Sequence, residues 1–92
     1  MAKFVMVGKY SAEAVRGITA ERTQKVLSTI KDAGGKVQSM YAMLGPDDLL
    51  FIVDFPSVQN AMKASITLTQ LTGIGFCTSP AITAEEFDKI TD

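Results

Sequence analysis

Apolar positions along this chain change period several times, and each change marks the start of a new element. From Lys3 to Tyr10 the run Lys-Phe-Val-Met-Val-Gly-Lys-Tyr is rich in β-branched and aromatic residues and predicts a first strand. Ser11 then caps a short helical segment, Ala12 to Arg16, with Glu13 in its first turn and Gly17 interrupting it. Thr19 reads as a second N-cap. Behind it Thr23, Val26, Leu27, Ile30 and Ala33 follow the spacing of one buried helical stripe, closed by Gly34-Gly35. Lys36 to Leu44 return to period two, with Val37, Ser39, Tyr41 and Met43 expected on one face.

Gly45-Pro46-Asp47-Asp48 is a strong turn signal, because Pro fixes φ and Asp bonds its own backbone. Leu49 to Phe55 make a third strand, hairpinned to the second. Pro56-Ser57 opens a second long helix, in which Val58, Ala61, Met62, Ser65 and Leu68 are expected to share the buried face and Gly73 ends the run. Ile74 to Ile82 give a fourth strand whose Pro80 suits a sheet edge. Thr83-Ala84-Glu85-Glu86 is a capping box for a terminal helix reaching Ile90. The order βαββαβ over a single domain, residues 1–92, predicts an α+β fold of ferredoxin-like type. Its four-stranded antiparallel sheet carries the helices on one face and has the first and third strands at its centre.

One feature of the central strands departs from a monomer's pattern. A sheet covered by helices on one side only should alternate apolar and polar residues. Here Leu49, Phe51 and Val53 fall on one face while Leu50 and Ile52 fall on the other, and Phe4 and Met6 oppose Val5 and Val7. Both faces therefore ask for burial. The expectation is a sheet-to-sheet dimeric α/β barrel, or a higher homo-oligomer; the alternative is a monomer whose terminal segment folds over the second face.

Composition narrows the chemistry. Histidine is absent, so a Ser-His-Asp or Cys-His nucleophile, a His-ligated haem and a His-containing zinc site cannot be built within the chain. No metal site and no cofactor are expected. Cys77 is the sole cysteine, expected as a small buried hydrophobe. The net charge of −1, with scattered basic residues, gives no footprint for nucleic acid or for an anionic membrane. The apolar N-terminal run is too short for a signal peptide and no stretch is long enough to span a bilayer, so a cytoplasmic location is expected. An RNA-binding sheet would need aromatic and basic residues on its open face, where aliphatic residues dominate. Gly73-Ile74-Gly75 precedes a strand and so cannot be a dinucleotide fingerprint.

The segment Met43-Leu44-Gly45-Pro46-Asp47-Asp48-Leu49-Leu50-Phe51-Ile52-Val53-Asp54-Phe55-Pro56 resembles the one that names the GYD domain family. There a hairpin Gly-x-Tyr-Asp precedes an apolar strand, an acidic residue and a Pro-containing helix start. Tyr10-Ser11, Arg16, Gly34-Gly35-Lys36 and the closing Thr83-Ala84-Glu85-Glu86-Phe87 agree with it, so the resemblance covers nearly the whole chain. Gly45 and Asp48 match the naming motif, but Asp47 stands where the family has Tyr, which removes any role of that ring or hydroxyl. The resemblance implies a dimeric α/β-barrel fold without implying an activity. Kinship with barrel monooxygenases and isomerases is an analogy of fold.

Candidate site residues are few, and each has an ordinary structural explanation. Asp54, ending an apolar strand, could serve as an acid or base with Tyr10 or Tyr41 aimed into a cleft, though a strand-end charge and half-buried phenols are the plainer outcomes. Arg16 could hold an anionic group, and Asp47 and Asp48 could pair toward a ligand, against a solvated helix residue and a turn that caps backbone amides. The leading expectation is an oligomeric domain that binds a small apolar or mildly polar molecule or regulates a partner protein. Its rivals are a cofactor-independent enzyme of the barrel type, using Asp54 and a tyrosine, and a purely structural assembly module.

Overall fold

In the computed structural model, which describes residues 1–92, the chain runs β1 (Ala2–Lys9), α1 (Ala12–Arg16), α2 (Ala20–Asp32), β2 (Lys36–Ala42), β3 (Leu49–Phe55), α3 (Val58–Thr72), β4 (Gly75–Ala81) and α4 (Ala84–Thr91). The strands form one antiparallel sheet in the order β2-β3-β1-β4, so β1 and β3 are central as the connections require. The ferredoxin-like α+β fold is as expected. Pro80 lies on an edge strand, where its missing N–H breaks no interior ladder. Ser11, Thr19, Ser57 and Thr83 each cap a helix with a side-chain oxygen, and Gly73 closes α3 at φ 75°.

The core lies between the sheet and the two long helices. Phe4 and Met6 of β1 and Phe51, Val53 and Phe55 of β3 meet Val26 and Ile30 of α2 and Ala61, Ala64 and Leu68 of α3, all buried. Phe4 and Phe55 pack edge to face with centroids 5.7 Å apart. Gly35 is required here: a Cβ would stand 2.6 Å from Phe55 Cε1 and 2.8 Å from Ile30 Cγ2. The Asn60 side chain, donating to the Ala33 carbonyl at 2.9 Å, ties the start of α3 to the end of α2.

Three expectations are corrected. A register shift between Val37 and Ser39 splits the alternation of β2: Val37 and Met40 oppose Val53 and Phe51 on the helix side, whereas Ser39 and Tyr41 oppose Ile52 and Leu50 on the other. In α3 the buried stripe is Ala61, Ala64 and Leu68, while Val58 and Met62 are exposed. Small alanines let the helix approach the sheet closely, and the bulkier residues sit about 100° further round its axis. Cys77 is exposed on the helix-free face, opposite Val7.

Finally, α4 stands apart. It buries no residue and packs substantially on no other element. The molecule measures 48 × 29 × 18 Å with a radius of gyration of 13.7 Å, against about 12 Å expected for a compact domain of this length.

Candidate functional site

The helix-free face of the sheet is the main surface that the fold leaves unexplained. Pairing in β1 and β3 sets Val5 opposite Ile52 and Val7 opposite Leu50, all on this side. The four are only half-buried, shielded by one another rather than by any covering element. Their neighbours on β4 are Cys77, Ser79 and Ala81, and on β2 Ser39 and Tyr41.

One end of this face is polar. The β1–β3 register places Lys3 opposite Asp54, and Lys3 Nζ lies 3.7 Å from Asp54 Oδ1. Gln38, the residue at the β2 irregularity, donates to Asp54 Oδ2 at 2.5 Å. Both carboxylate oxygens are thus engaged, and the charge is matched within the chain. Lys3, Asp54, Ala81, Ile82 and Glu86 border a shallow cleft of about 230 Å³ at this end. The partners of Asp54 had no signal in the sequence, since Lys3 and Gln38 lie 51 and 16 residues away and only strand register brings them close.

The remaining candidates are dispersed. Tyr41 shares the face with Asp54 but at the far end, 56% exposed beside Leu50. Leu50 and Asp54 stand four positions apart on β3, about 13 Å along a strand. Tyr10 lies on the opposite side of the sheet, where the Arg22 guanidinium stacks 5.6 Å from its ring centroid. The structure therefore brings Asp54 together with neither tyrosine in one chain. Arg16 is exposed at the end of α1. Asp48 is occupied in the turn: its carboxylate accepts the Tyr10 N–H at 2.8 Å, its own N–H donates to the Gly8 carbonyl at 2.9 Å, and its carbonyl accepts from Met43 N at 2.8 Å. Asp47 beside it is half-buried and makes no side-chain hydrogen bond or ion pair. No group of three or more Cys, Asp or Glu side chains converges as a metal ligand set.

With the hairpin, the apolar strand and the capped terminal helix in place, the sequence profile of the GYD domain matches residues 4–91. The chain belongs to the GYD domain family. No curated protein sequence matches it. Among solved structures, the GYD domain is similar to the Mycobacterium tuberculosis leucine response regulatory protein (LrpA), with a TM-score of 0.59 and 7% identity. That match covers 90% of this chain and 51% of the regulator, so the domain spans about half the length of its structural neighbour. At such identity the likeness is one of fold. No helix of the domain is long and apolar enough to cross a membrane.

Proposed function

We propose that this GYD domain is a homodimeric binding module in which two helix-free sheet faces meet and hold a small apolar or mildly polar molecule between them, so regulating a partner protein. The aliphatic patch Val5, Val7, Leu50 and Ile52 on the central strands carries this reading. Complete removal of such a side chain from water is worth on the order of 1.5–3 kcal/mol, and half-buried ones retain about half of that to gain. Two copies of the patch across a twofold axis supply a self-complementary surface. The Lys3–Asp54–Gln38 group suits its rim, since a charge already paired and hydrogen-bonded resists burial less than a lone one. The same fold in a protein named for a response to leucine agrees with a regulatory role and a small, largely aliphatic ligand.

Light scattering coupled to size-exclusion chromatography tests the assembly. The expected mass is twice 9.9 kDa. Ile52→Asp should weaken the dimer at least about a hundredfold, since an unpaired charge in a buried interface costs several kcal/mol, while circular dichroism stays unchanged. A monomer of 9.9 kDa at micromolar wild-type concentration would sink the proposal. Native mass spectrometry of the freshly purified protein then tests for a retained small molecule.

A further inference from the structure

Both β3 and β4 run antiparallel to β1, so they finish at the same end of the sheet. Each is followed by a two-residue joint and a helix: Pro56-Ser57 before α3, Ile82-Thr83 before α4. The cap residue is extended in both, Ser57 at φ −155° and ψ 167°, Thr83 at φ −68° and ψ 156°. After the first joint the chain doubles back, and α3 buries Ala61, Ala64 and Leu68 in the core. After the second it does not, and α4 buries nothing. Ile82 has no ring to fix its φ, so this joint is the freer of the two. The capping box of Thr83 and Glu86 lies beyond it, which lets the helix swing about Ile82 as one piece.

A seat for that helix is built into the same chain. On the helix side, α3 and the edge strand β4 flank a groove of about 290 Å³ walled by Phe4, Val58, Met62, Ile66 and Pro80. It opens beside the joint, since Val58 begins α3 and Pro80 lies two residues before Ile82. Val58, Met62 and Ile66 are each more than half exposed, as are Phe87 and Ile90, which lie one turn apart on α4. From Val58 to Ile66 is about 12 Å along the helix axis, and α4 has the same length. The hydroxyls of Ser65 and Thr78 within the groove satisfy each other at 2.8 Å, so an apolar cover strands no polar group.

We infer that α4 is a strap, hinged at Ile82, that closes over the α3–β4 groove of its own chain and sets Phe87 and Ile90 against Val58, Met62 and Ile66. The extended position is the open form. Closing takes both apolar stripes out of water, and a helix this short gains from having a surface to lie on. The two-residue tether gives the chain's own helix the advantage over any free partner. Doubling back as α3 does, the closed helix runs parallel to α3 and completes the helical layer over the β4 edge. The inference is independent of the homodimer, whose face is on the opposite side of the sheet.

The test uses the full-length chain with Cys77→Ser, Met62→Cys and Ile90→Cys, oxidised in dilute solution with glutathione disulfide. All three positions are exposed, so folding is preserved. A bridge needs the two Cα atoms within about 7 Å, and α4 packs substantially on no other element while extended. The bridge within one chain should form at least about tenfold faster than in a Met62→Cys, Glu85→Cys chain, whose second thiol sits on the far side of α4. Equal rates overturn the inference. So does bridging of two chains in preference to closure of one, which would give the groove to a second copy. A second measurement keeps Met62 and Ile90: Phe87→Ser should hold the strap open and brighten the apolar dye anilinonaphthalene sulfonate severalfold. Fluorescence equal to that of the wild type would leave no closed form to disrupt and overturn the strap.

Discussion

At Asp48 one residue joins three segments, because its carboxylate, amide and carbonyl bond to Tyr10, Gly8 and Met43 respectively. The side-chain bond fixes the end of β1 against the start of β3 and so sets where the helix-free face begins. Removing it with Asp48→Ala leaves the Tyr10 N–H without its acceptor, which should cost about 1–2 kcal/mol and lower the melting temperature by roughly 5–15 °C. Asp47→Asn, one position away, should change stability by less than about 0.5 kcal/mol. Thermal denaturation followed by circular dichroism compares the two, and equal losses would contradict the division of labour within the turn. The turn itself was legible in Gly45-Pro46-Asp47-Asp48. That Asp48 rather than Asp47 bonds across strands was not, because the partner lies 38 residues away.

Elements divide into those held by packing and one held only by its own caps. The long helices α2 and α3 are fixed by buried residues and by the Asn60 to Ala33 bond. By contrast α4 relies on its capping box and on the weak, exposed Glu85–Lys89 pair at 3.9 Å. Thr83→Ala should therefore remove about 1 kcal/mol from that helix alone. Amide hydrogen exchange at residues 84–91 is expected to accelerate while protection of β1 and β3 stays as in the wild type. Faster exchange throughout the sheet as well, or no change in α4, would contradict this independence. The cap was readable from sequence because capping is local, whereas the buried stripe of α3 was not. Val58 and Met62 fit a helical period as well as Ala61 and Ala64 do, and close approach to the sheet selected the smaller pair.

For the whole molecule, the helix side is a finished core and the other side is an unfinished one. A chain of this length has a small margin of stability, and aliphatic residues left half-exposed on central strands withhold part of the available hydrophobic energy. If a second chain supplies the missing cover, folding and association are linked. Urea denaturation should then show a midpoint that rises as protein concentration is raised tenfold, in proportion to the law of mass action. A midpoint independent of concentration would mark the sheet face as stable in water by itself. The candidate chemistry follows the same division: Asp54 belongs to the helix-free face, Tyr10 to the helix side.

What the sequence by itself determined is whatever depends on near neighbours: the helix starts at Ser11, Thr19, Ser57 and Thr83, the turn at Gly45–Asp48, the order of elements, and the double-sided apolar character of β1 and β3. Each is set by dihedral preference, capping or strand alternation, over a few residues at most. The tertiary structure alone decided the irregularity that turns Tyr41 toward the helix-free face, the Lys3–Asp54–Gln38 group, the exposure of Cys77 and the open groove beside α3. Those depend on register and on the distance at which helix and sheet settle, and both are fixed by packing between segments far apart in the chain.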